Sequence, residues 1–74
     1  MMESENILIK VNPKDVIFFD KTIESIDNLG IVTVLNGKEG LINIMSPFSL
    51  RQDLIEVLNN LGKNYELLTE QEKK

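Results

Sequence analysis

The sequence predicts an α+β fold of the ferredoxin-like βαββαβ kind: a two-layer sandwich with a four-stranded antiparallel sheet and two helices on one face. Three observations carry this reading. Two β-branched runs, Ile31-Val-Thr-Val-Leu and Leu41-Ile-Asn-Ile-Met, flank an Asn-Gly and a second glycine, Gly40, which together mark a hairpin. The chain before the hairpin reads strand then helix, and the chain after it reads helix then strand. The two halves also echo each other. Ile9-Lys-Val-Asn-Pro13 corresponds to Asn43-Ile-Met-Ser-Pro47 at an offset of 34, and Asp27-Asn-Leu-Gly30 to Asn59-Asn-Leu-Gly62 at an offset of 32. Two right-handed βαβ units joined by a hairpin make the split-βαβ arrangement.

Residues 1–5 are acidic and polar and predict a flexible arm. From Ile7 to Val11 the chain alternates, with Ile7, Ile9 and Val11 on one face and Leu8 and Lys10 on the other, as in a half-buried strand. Asn12 is placed to cap a helix, Pro13 suits its first position, and Asp15 favours the positive end of the dipole. Val16, Phe19, Ile23 and Ile26 give that helix an apolar stripe, and Gly30 is the expected left-handed stop. In the hairpin, Val32 and Val34 share a face with Ile42 and Ile44, while Ile31, Thr33 and Leu35 share the other with Leu41, Asn43 and Met45. The second helix has two candidate starts. Ser46-Pro47 repeats the logic of Asn12-Pro13, whereas Ser49-Leu-Arg-Gln52 fits a capping box. Leu50, Leu54, Val57, Leu58 and Leu61 form its stripe, Gly62 closes it, and 64–68 reads as the last strand. Residues 6–68 are therefore one domain, followed by a flexible charged tail over 69–74.

A chain of 74 residues buries only about 60% of its unfolded surface, so its core is marginal. It has no cysteine and no histidine, which removes disulfides, thiolate or imidazole metal ligands, and Ser-His or Cys-His nucleophile pairs. The formal net charge of −4 opposes nonspecific binding to nucleic-acid backbones or anionic membranes. No apolar run approaches the ~20 residues of a membrane span, and the opening residues lack the features of a signal peptide. The sequence thus reads as a cytoplasmic protein with no cofactor, no metal site and no catalytic residues. The strands expected at the sheet centre carry no aromatic residue of the kind that stacks RNA bases, and no phosphate-binding glycine motif is present.

Four features remain as candidates. Asp20, Glu24 and Asp27 line one flank of the first helix at spacings of four and three, a cation site in one reading and a solvated flank in the simpler one. Phe18 falls opposite the apolar stripe and is expected to be partly exposed; Ile17 and Ile55 are also off-stripe. The topology gathers Asn12, Lys14, Lys38 and Lys63 at one end, beside the start of the first helix, where a small anion would be received. The face of the sheet away from the helices is expected to display Leu8, Ile31, Leu35, Leu41, Met45 and Leu68. Six large apolar side chains on one open face point to a homodimer or a protein partner.

The succession Ile-Lys-Val-Asn-Pro, Gly-Ile-Val-Thr-Val-Leu, Gly-Leu-Ile-Asn-Ile and a Leu-rich helix resembles a short bacterial domain family of unknown function. The layout is also similar to ACT domains, regulatory ferredoxin-like modules that bind amino acids at dimer interfaces. That resemblance implies a regulatory module, but the glycine-containing loop usual between the first strand and helix of an ACT domain is replaced here by Val11-Asn-Pro-Lys14. No ligand residue is carried over. The expected function is a noncatalytic interaction or regulatory module that pairs through its open face. The alternative is an ACT-like sensor of a small anionic metabolite or amino acid.

Overall fold

A computed structural model describes residues 4–26 and 29–68. Its elements are β1 (Ser4–Val11), α1 (Val16–Glu24), β2 (Ile31–Asn36), β3 (Leu41–Pro47), α2 (Arg51–Asn60) and β4 (Tyr65–Leu67). The strands form one sheet in the order β2-β3-β1-β4, with every neighbouring pair antiparallel. This is the ferredoxin-like βαββαβ arrangement that the hairpin and the two half-repeats imply.

The core follows directly from the alternation of β1 and β3. Ile7 pairs with Ile44 and Ile9 with Ile42, and all four are completely buried. The helices close over them with Val16, Phe19 and Ile23 from α1 and Leu54 and Leu58 from α2. Val32, Leu50, Val57, Tyr65 and Leu67 pack at its margin. The Tyr65 hydroxyl donates to Asn59 Oδ1 at 2.7 Å, tying β4 back to the end of α2.

Local chemistry differs from the sequence expectation at several places. The first strand begins at Ser4, not Ile7: Ser4 pairs with Pro47 and Glu5 with Ser46, so the last two residues of the expected arm belong to the sheet. The Glu5 carboxylate meets Arg51 Nη1 at 2.7 Å, which anchors this extension to α2. Residues 1–3 and the tail over 69–74 lie outside the described residues.

The first helix opens as a 3-10 turn over Pro13–Asp15, and Asn12 does cap it, its Oδ1 accepting from the Lys14 amide at 3.2 Å. It stops at Glu24, well before Gly30. The Ser25 hydroxyl donates to the Thr22 carbonyl at 2.7 Å, a local bond that competes with helix continuation. Because the chain turns early, Leu29 is buried at 3% exposure and Ile26, expected in the core, is 38% exposed. Gly30 is not a left-handed stop. A Cβ there would lie 2.9 Å from Ile44 Cγ2 and 3.2 Å from the Met45 carbonyl oxygen, so glycine answers a close approach between segments.

Neither serine caps the second helix. A 3-10 turn over Phe48–Leu50 precedes α2, and Pro47 and Leu50 occupy the cap positions without a side-chain bond. Ser46 is instead fully buried, its hydroxyl donating to the Leu29 carbonyl at 2.6 Å. Gly62 behaves as expected, with φ of 76° just past α2. Ile55, expected off-stripe, packs against the core.

The hairpin loop spans 37–40, and its left-handed residue is Gly40, with φ of 74°. Asn36 organises it, its Oδ1 accepting from the amides of Lys38 at 3.1 Å and Glu39 at 3.2 Å. A β-bulge interrupts β2, since Val34 pairs with Ile42 but Asn36 with Leu41, which leaves Leu35 as the extra residue. Val34, expected in the core, lies near this end and is exposed.

The topology fixes two ends. The start of α1, the hairpin loop and the turn after α2 share one; β1 begins and β4 ends at the other. The Val11 amide donates to the Gly40 carbonyl at 2.8 Å, joining the hairpin loop to the start of the first helix.

Candidate functional site

The open face of the sheet is built from alternate residues of four strands. One row across it runs Ile31–Met45–Asn6 and the next Thr33–Asn43–Leu8. A third runs Asn36–Leu41–Lys10–Glu66. Leu68 extends the middle row past β4, its amide donating to the Leu8 carbonyl at 2.8 Å. Five of the six residues singled out from the sequence are therefore placed on this face, and Leu35 stands at the β2 bulge. Ile31 is 63% exposed, Leu35 53%, Met45 44% and Leu68 37%, while Leu8 and Leu41 are half-buried.

The patch is not uniform. Asn43 Nδ2 donates to Asn6 Oδ1 at 3.1 Å, drawing a polar line across the face. Ile31 and Met45, directly opposed, form the apolar group on the β2–β3 side, and Leu8 and Leu68 form another on the β1–β4 side. Leu35 is reached only through the bulge, so simple alternation does not fix its place. Phe48, at 52% exposure in the turn after β3, is a further apolar residue that the sequence reading did not assign to any face. It lies between strand and helix, where neither periodicity applies.

At the lysine end the structure brings Lys63 to the first helix. Lys63 Nζ stands 3.8 Å from Asp15 Oδ1 and 5.4 Å from the centroid of the Phe18 ring, so the turn after α2 does meet the start of the first helix. Phe18 is partly exposed, as its place on the helical wheel implies, and sits edge-on to Phe19 with centroids 6.0 Å apart. Lys63 is thus engaged by a carboxylate and an aromatic ring. Asn12 and Asn36 spend their side-chain oxygens on their own loops, which occupies the Lys14, Lys38 and Glu39 amides. The side chains of Lys14 and Lys38 belong to exposed residues at this end.

Asp20 and Glu24 stand on one flank of α1, and Asp27 lies outside the described residues. Burial raises the Asp20 carboxyl above its usual range; the Glu24 charge and a hydrogen bond with Glu24 add to this, and Lys21 opposes it. Glu24 has a structural partner, its Oε2 accepting from the Val32 amide at 3.0 Å. Among the described residues no group of three or more His, Cys, Asp or Glu side chains is placed to hold a metal ion. Among them, too, no helix is long and apolar enough to cross a membrane.

An α+β sandwich with apolar side chains on the open face of its sheet is a class of small domain, not an activity. The family described as Domain of unknown function (DUF4911) matches residues 9–64, which runs from within β1 to the turn after α2. The chain belongs to that family. The comparisons with curated proteins and with solved structures gave no match.

Proposed function

We propose that this domain is a noncatalytic regulatory or interaction module that pairs with a second copy of itself through the open sheet face. The observation that supports this reading is the exposure of Ile31 and Met45 directly opposite each other on that face, with Leu41 farther along β3, Leu8 on β1 and Leu68 just past β4. Antiparallel sheets with one solvated face normally carry polar residues there. A small core gains most by covering such a surface, and a twofold pair is the commonest way for identical chains to do so. The Asn6–Asn43 line gives the face a polar register as well as apolar area.

The second reading, an ACT-like sensor of a small anion, draws on the exposed Lys14 and Lys38 at the loop end. It is the weaker reading. The loop amides that would cradle an anion are occupied by Asn12 and Asn36, and Lys63 is held by Asp15 and Phe18.

Sedimentation equilibrium across a concentration series tests the first reading. The wild-type chain is expected to dimerise. The double variant Met45→Lys with Leu41→Glu, which leaves net charge unchanged, is expected to be monomeric with an unaltered circular-dichroism spectrum. A wild-type protein that stays monomeric throughout overturns self-association.

A further inference from the structure

β2 is an edge strand of six residues, Ile31-Val-Thr-Val-Leu-Asn36, with no charge and no proline. A strand of this composition at a sheet edge is a template for pairing with another chain. The Val32 amide donates to Glu24 Oε2, not to β3. Antiparallel ladders alternate in direction, so the main-chain groups of Ile31 and Thr33 face β3 and those of Val32 and Val34 face outward. These outward groups are self-complementary about a twofold axis through Thr33. In that register Val32 of one copy opposes Val34 of the other, and four main-chain hydrogen bonds close the pair. Two of the four donors are the Val32 amides, one from each copy.

We infer that Glu24 is an edge guard: its carboxylate takes the outward Val32 amide and so blocks antiparallel β2–β2 pairing between two copies of this chain. The end of α1 is where the guard has to be, because the helix stops at Glu24, level with the start of β2. The bulge at Leu35 ends the regular stretch at the other side, so Val32–Val34 is the whole of the pairable edge. Glu24 closes one of its two donors. This surface is the sheet edge and is separate from the open face proposed above for self-association.

The test reads each variant against its own parent, in both the wild-type and the Met45→Lys with Leu41→Glu backgrounds. Glu24→Ala is expected to raise the weight-average mass by a factor of about two or more at a concentration where the parent does not change. In the Met45→Lys with Leu41→Glu background, where the open face is already disrupted, adding Thr33→Lys puts identical charges across the twofold axis and is expected to return the mass to that of the parent. Amide exchange supplies a readout independent of association. Val32 is expected to exchange at least tenfold more slowly than Val34 in the parent, and to lose that protection in Glu24→Ala but retain much of it in Glu24→Gln, which keeps an acceptor oxygen. Unchanged mass in Glu24→Ala in both backgrounds overturns the inference, as does a Val32 amide unprotected in the parent. A Met45→Lys with Leu41→Glu protein that remains dimeric counts against the open-face reading alone.

Discussion

Gly40 and Gly62 have nearly the same backbone conformation, φ of 74° and 76°, in quite different surroundings. A Cβ on Gly40 would fall 1.8 Å from the Val11 carbonyl oxygen, whereas one on Gly62 meets nothing within 4 Å. The left-handed conformation itself costs a non-glycine residue roughly 1–2 kcal/mol. Gly62→Ala is therefore expected to lose about 1 kcal/mol in urea denaturation. Gly40→Ala is expected to lose about 3 kcal/mol or more, because the hairpin must also separate from Val11. Equal losses would show that φ alone matters. Asp20 gives a pH-dependent counterpart. Its folded-state carboxyl holds a proton above the usual value of 3.8, so between that value and the raised one the folded state binds more protons than the unfolded. Stability contributed by this group falls as pH climbs through that window and stays lowered above it. Asp20→Asn is expected to stabilise the protein relative to wild type at neutral pH, with the gap in urea midpoint closing as the pH drops well below 3.8. A gap that is constant with pH would exclude ionisation as its cause.

At the scale of the element, α1 and the turn after it show what periodicity conveys and what it omits. Stripe spacing selects Ile26 as the last buried residue, yet the helix ends two residues before it and Leu29 enters the core. Leu29→Ala is accordingly expected to cost about 2–4 kcal/mol and Ile26→Ala under about 1 kcal/mol, measured as shifts in denaturation midpoint. The reverse order would restore the longer helix. The strands were legible because a sheet buried on one face writes its alternation into the sequence, and Ile7, Ile9, Ile42 and Ile44 follow it without exception. Gly30, Ser46 and the Leu35 bulge were not legible. Gly30 answers to Ile44 and Met45, and Ser46 to the Leu29 carbonyl, neighbours that only the folded chain supplies. A bulge depends on how two strands meet, and the alternating pattern of either strand alone does not contain it. The same limit applied to the candidate site: the six apolar positions could be named, but the Asn6–Asn43 line that divides them could not.

For the molecule as a whole, the two halves are alike in order and unlike in detail. Pro13 and Pro47 stand 34 positions apart in matching segments, but Pro13 begins its 3-10 turn while Pro47 ends β3 and precedes its own. The resemblance between halves is thus one of topology, with each junction solved separately: by an asparagine cap in the first, and in the second by a buried serine and the Glu5–Arg51 pair. Antiparallel pairing of β1 with β4 has a consequence for chain connectivity. Because one strand begins and the other ends on the side away from the hairpin loop, the path through the fold is nearly a closed circuit. The cyclic order of strands and helices stays the same wherever that circuit is opened. A circular permutant joined across that side and cut between Lys38 and Glu39 would keep every layer and every strand neighbour, and would differ only in which half is made first.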